Sequence, residues 1–272
     1  MLRILCPTDF SNNSRFAAEY AIELGNELVA KLIFISSYKV PRVPGALRSL
    51  DDKIYEAVEE DLQYFIKKLH PLIKTGIEPE AKVVAGNTSD SIISFANENE
   101  IDLIVMGTKG SSSIMHMILG SVTIKFIEKS KIPILAIPYS SKFELHSNKI
   151  LLALDSKGIN NTKSLDLLSK LHGLPGCSID VFHVIIPGEK VRLSSNSGML
   201  NDIVDNIIEV DGIDPVKEIK NFVDKNDIGM LAMVGRKHSF LERAFVESNT
   251  ISELFSSNVP VLVLPESRDN LV

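Results

Sequence analysis

Apolar positions along this chain come in two alternating textures. Runs that are apolar at nearly every position, around 4–6, 32–35, 103–106 and 134–137, are separated by stretches in which apolar residues recur with a helical period. Ala17, Tyr20, Ala21 and Leu24 fall at i, i+3, i+4 and i+7, and a longer stretch carries Ile54, Ala57, Val58, Leu62, Phe65, Ile66 and Leu69. A third helix is expected through Ile92, Ile93 and Ala96 with Thr88 or Ser89 as its cap, and a fourth from Ser121 to Lys129. With a further strand at Val83 and Val84, the order is β-α-β-α-β-α-β-α-β. Strands without polar alternation belong to a parallel sheet covered by helices on both faces. The pattern therefore predicts a doubly wound α/β domain with a five-stranded parallel sheet.

The pattern occurs twice. Arg3-Ile-Leu-Cys-Pro-Thr-Asp9 is echoed by Lys149-Ile-Leu-Leu-Ala-Leu-Asp155, Asp102-Leu-Ile-Val-Met-Gly107 by Met230-Leu-Ala-Met-Val-Gly235, and Pro133-Ile-Leu-Ala-Ile-Pro138 by Pro260-Val-Leu-Val-Leu-Pro265. The three matches keep one order, which predicts tandem domains at 1–142 and 147–272 joined by the polar stretch 139–148. In the second copy the segment between a strand at 179–182 and the next at 207–208 is shorter by about 20 residues, more than the usual helix of about 11 to 12. Its second helix is expected to be reduced or absent, with 192–198 as loop.

Composition narrows the partners. The 272 residues are 44% hydrophobic and 24% charged with a formal net charge of −6, and no dense Lys/Arg run offers a footprint for a phosphate backbone, so nucleic acid is not expected. Two cysteines, Cys6 and Cys177, have no zinc spacing and read as reduced thiols. The chain enters a strand at once without a secretory signal, and no apolar run approaches the ~20 residues that cross a bilayer. The expected compartment is the cytoplasm.

The chemistry lies in Gly107-Thr-Lys-Gly110, directly after the strand 103–106, and in Gly120-Ser121 nine residues on, giving G-x2-G-x9-G-[ST]. Glycines at a strand-to-helix turn let main-chain amides approach an anion, and the amides and dipole of a helix N-terminus attract it. Ser121 adds a hydroxyl there. Asp9 follows the carboxyl end of the first strand, where open α/β sheets place ligands, and equally reads as a helix N-cap. His116 lies inside the loop, and a solvated or helix-capping imidazole is the simpler reading. Signatures for a P-loop, nucleotidyl transfer, a dinucleotide and a nucleophile elbow are absent from the sequence.

Pro7-Thr8-Asp9 after the first strand, Val105-Met106-Gly107 after the fourth and the complete glycine motif resemble the ATP-binding branch of the universal stress protein family, across both copies. The resemblance implies domains like the Rossmann-like ones of adenine nucleotide alpha hydrolases, and ATP with Mg or Mn as cofactor, no protein side chain being assigned to the metal. It implies that Pro7, Thr8 and Asp9 line the adenine and ribose, that main chain near Ser37 meets the adenine, that Met106 and Gly107 border the ribose, and that Lys109, Gly110, Gly120, Ser121, Val122 and Thr123 hold the phosphates. It also implies that the halves pack about a pseudo-two-fold axis through their final strands, and leaves a homodimer of chains open. Ser36 and Ser37 stand where members often have His then Val, whereas His183 of the second copy matches that histidine and reads as structural.

In the second copy, aligning Gly235 with Gly107 and Thr250 with Thr123 sets His238 opposite Gly110, Glu247 opposite Gly120 and Ser248 opposite Ser121. Glu247 would put a negative charge where the helix dipole would hold phosphate, so that half is expected to bind no ATP there. An ATP-binding stress-response regulator is the leading expectation. The alternatives are a slow ATPase or phosphotransferase using the same pocket, and a nucleotide-independent dimerising scaffold.

Overall fold

The computed structural model describes residues 1–39, 48–108, 119–139, 149–159, 161–188, 200, 202–235 and 259–266. The chain divides into two compact units, Met1–Tyr139 and Ser140–Val272. Among the described residues each holds five parallel strands with helices packed on them.

The first unit runs β1 (Arg3–Pro7), α1 (Asn12–Leu28), β2 (Lys31–Tyr38), α2 (Arg48–Leu69), a 3-10 turn (His70–Leu72), β3 (Glu80–Ala85), α3 (Thr88–Glu98), β4 (Leu103–Gly107), α4 (Ser121–Lys129) and β5 (Ile134–Ile137). The strand order is β3-β2-β1-β4-β5, every pair parallel. Both faces are buried, as the unbroken apolar runs require. Leu5, Ile33, Ile35, Ile104, Met106 and Ile134 pack with Ile92, Ile93, Ala96 and Phe126 of α3 and α4. The alternate residues Ile4, Cys6, Leu32 and Phe34 are buried toward the other face, where the Phe34 and Phe65 rings meet edge to face. The chain moves outward from β1 to β3 and then returns to the other side of β1, so the winding reverses between β1 and β4. Open α/β sheets bind ligands at such a reversal, outside the carboxyl ends of the strands.

The second unit runs β6 (Lys149–Leu154), α5 (Thr162–His172), β7 (Ser178–Ile185), β8 (Asn206–Asp211), α6 (Pro215–Lys225), β9 (Met230–Gly235) and β10 (Val261–Pro265). Its order, β10-β9-β6-β7-β8, is again all parallel and repeats the reversal between the first and fourth strands. Residues 192–198, expected as loop in place of a helix, lie outside the described residues.

Several element ends differ from the sequence reading. β2 and β7 each extend three residues beyond the predicted 32–35 and 179–182, because the backbone continues to pair with the neighbouring strand past the polar residue that follows the predicted run, Ser36 in β2 and His183 in β7. Helix α3 is preceded by Asn87 at the N-cap, while Thr88 and Ser89 are already helical and the Ser89 hydroxyl donates to Asn87 Oδ1. Asp9 is likewise not the N-cap of α1. Ser11 holds that position, its Oγ accepting from Ser14 N–H at 3.2 Å.

Candidate functional site

Two strand ends and one helix start converge at the reversal. The turn after β1 is held from several sides. Thr8 is 7% exposed, its N–H donates to Ile35 O at 2.9 Å, and its Oγ1 accepts from Phe10 N–H at 3.0 Å. The Ser36 hydroxyl donates to Thr8 O at 3.1 Å. Asp9 is exposed and its Oδ1 accepts from Ser11 N–H at 3.1 Å and from the Ser11 hydroxyl at 2.6 Å. Between them Phe10 sits at φ 63, a left-handed conformation that costs a bulky residue about 1–3 kcal/mol. The hydrogen bonds on either side hold it there, and its ring is fixed against Phe65 of α2 at 5.9 Å between centroids. Asp9 is left facing outward at the end of the strand.

The end of β4 is joined to the start of α4. Thr108 N–H donates to Ile137 O at 3.0 Å, Gly120 N–H donates to Thr108 O at 2.6 Å, and the Thr123 hydroxyl donates to Gly107 O at 3.0 Å. These bonds set the helix start beside the strand end. Lys109, Gly110 and His116 lie outside the described residues.

Gly120 is the N-cap of α4, with φ −73 and ψ 148, a conformation open to any residue. Its backbone conformation therefore does not itself call for glycine. A glycine cap offers no oxygen to the first amides of the helix, and the first intrahelical bond runs from Ile124 N–H to Gly120 O at 3.1 Å. The amides of Ser121, Val122 and Thr123 precede that bond. Ser121 and Val122 are exposed there, whereas Thr123 is 2% exposed with its hydroxyl turned onto Gly107.

The remaining sequence-predicted residues occupy the rim. Pro7 ends β1 and is buried, and Met106 contributes its side chain to the core, leaving main chain at the strand end. Ser37 stands near the end of β2 with its hydroxyl donating to Thr88 Oγ1 at 2.8 Å, which engages its side chain with the start of α3. The sequence reading missed the supporting residues Ser36, Ser14 and Phe10. The signal for Ser36 was a polar residue on an apolar strand opposite His183 in the repeat. Among the described residues no three His, Cys, Asp or Glu side chains gather as a metal site.

The second unit departs at the same place. Asp155 lies six positions before the N-cap of α5, Asn161, whereas Asp9 lies two positions before Ser11, the N-cap of α1. Asp155 Oδ1 accepts from Lys157 N–H at 3.1 Å within that longer turn, and Leu154 takes the position of Thr8. His183 is 1% exposed with Nδ1 2.9 Å from Leu154 O. His238, Glu247, Ser248 and Thr250 lie outside the described residues.

Residues 1–138 match the model of the universal stress protein family. Universal stress protein MJ0531 of Methanocaldococcus jannaschii is 30% identical over 142 residues, covering 52% of this chain and 84% of that protein. Universal stress protein YxiE of Bacillus subtilis is 26% identical over 146 residues, 50% of this chain and 97% of that one. The crystal structure of a universal stress protein from Archaeoglobus fulgidus superposes with a TM-score of 0.74 at 22% identity, over 97% of this chain and 98% of that chain, a likeness of fold that spans both units. Among the described residues no helix is long and apolar enough to cross a membrane.

Proposed function

The chain belongs to the universal stress protein family, and from that premise we propose that its first unit binds ATP and that nucleotide occupancy sets its action as a cytoplasmic stress-response regulator. The observation that carries this reading is the start of α4, capped by glycine and fastened beside the end of β4 at the reversal of the sheet. A helix N-terminus so placed attracts phosphate through its amides and dipole.

In this reading the adenine lies against main chain at Ser37, Pro7, Thr8 and Asp9 line the base and ribose, and Met106 and Gly107 border the ribose. The triphosphate runs to Gly120 and the amides of Ser121, Val122 and Thr123, with Lys109 and Gly110 completing the cradle. Mg or Mn would offset phosphate charge, held chiefly by the phosphates. The second unit, with Leu154 in place of Thr8 and a longer turn after Asp155, serves as a structural partner.

Chromatography of the nucleotide released from the heat-denatured, freshly purified chain tests this. ATP or ADP in near-equal amount to protein is expected. A nucleotide-free chain that also takes up none from added Mg-ATP would overturn the reading.

A further inference from the structure

We infer that Ser36 is a positioning residue for the nucleotide site, holding the turn that presents Asp9 by clamping the carbonyl group at the end of β1. This rests on the ATP-binding reading above. Ser36 itself lies beneath the site, 4% exposed and directed into the protein.

The need for a clamp follows from the ladder. β1 and β2 pair in parallel as far as Pro7 and Ile35, and the last backbone bond between them is Thr8 N–H to Ile35 O. The chain then turns out of the sheet toward α1, so the Thr8 carbonyl has left the reach of regular strand pairing. A buried carbonyl without a donor is costly, and the Ser36 hydroxyl supplies one.

The repeat supplies an independent comparison. Leu154 matches Thr8 and pairs in register with His183, which therefore occupies the ladder position of Ser36. His183 Nδ1 lies 2.9 Å from Leu154 O, and because a carbonyl only accepts, the imidazole N–H is the donor. A hydroxyl in one unit and an imidazole in the other thus bind the same carbonyl. The sequence difference at this position changes the residue and keeps the bond.

Fixing Thr8 O fixes the peptide plane between Thr8 and Asp9. The same Thr8 uses its hydroxyl to hold Phe10 N–H, and Phe10 is the strained residue of the turn. Removing the clamp frees one side of Thr8, lets the left-handed Phe10 relax, and releases Asp9 from the geometry in which it faces outward at the strand end.

Ser36→Val and Ser36→Thr have nearly the same shape and differ in the hydroxyl. In calorimetry of the full chain with Mg-ATP, Ser36→Val should bind about tenfold more weakly than the parent and Ser36→Thr within about threefold of it. In the nucleotide-free chain, amide exchange at Phe10 and Ser11 should quicken in Ser36→Val, remain slow in Ser36→Thr, and stay unchanged at distant core strands. Equal affinities for the two variants, or unaltered exchange at Phe10 and Ser11 in Ser36→Val, would overturn the assignment. A parent chain that binds no ATP would remove the nucleotide reading, and the exchange comparison would still decide whether Ser36 holds the turn.

Discussion

The hydroxyl oxygens of Thr8 and Ser14 lie 3.1 Å apart, both residues buried, and tie the end of β1 to the first turn of α1. The second unit has Leu154 and Ser164 at these positions, and Ser164 Oγ is buried with no hydrogen-bond partner among the described residues. An unpaired buried hydroxyl costs stability, whereas one that is paired contributes modestly. Ser164→Ala should therefore leave the chain as stable as before or more stable by about 1 kcal/mol, while Ser14→Ala should cost about 1 kcal/mol. Urea unfolding of the two single variants measures this, and a clear destabilisation by Ser164→Ala would show that its hydroxyl has a partner.

The cysteines should be nearly inert in the native chain. Burial pushes the Cys6 thiol up to about 12, and burial together with the Asp205 carboxylate pushes Cys177 up to about 11. Thiolate is the reactive form, so little is present at neutral pH. Iodoacetamide at pH 7.5 should label Cys177 slowly and Cys6 only after unfolding, as peptide mass spectrometry would reveal. Rapid native labelling of Cys6 would contradict the burial of β1.

Much of the fold was legible because a buried parallel strand leaves a run of apolar residues that does not depend on context, as 103–106 and 134–137 show. Strand ends were not, since Ser36 and Tyr38 look like loop residues and become strand by pairing with β3. The cap of α1 was left undecided for a related reason. Asp9 and Ser11 are both good caps, and the left-handed turn at Phe10, invisible in sequence, decides that Ser11 takes the role. The glycine spacing pointed to the start of α4, but that the Thr123 hydroxyl is spent on Gly107 O is fixed only by packing.

Turnover at this site should be slow. Phosphoryl transfer needs a group that activates the nucleophile and counter-charge at the γ-phosphate. Asp9, the carboxylate at the described rim, already accepts two hydrogen bonds from Ser11, which engage its Oδ1 within its own turn. Phosphate release from Mg-ATP should stay near one per chain over minutes. Steady release at about 1 per second or faster, an ordinary enzyme rate, would contradict this.

Calorimetric titration of the full chain with Mg-ATP tests the central claim most directly, comparing the parent with Gly120→Glu and Gly120→Gln. Gly120 has a backbone conformation that either substitute can adopt, and the pair separates the effect of charge from that of bulk. A carboxylate at the start of α4 would occupy the place of phosphate and repel it. The parent should bind one ATP per chain, Gly120→Gln should bind more weakly, and Gly120→Glu should bind none. Unchanged affinity in Gly120→Glu, or two ATP per chain in the parent with one remaining in that variant, would contradict a single phosphate site at the start of α4.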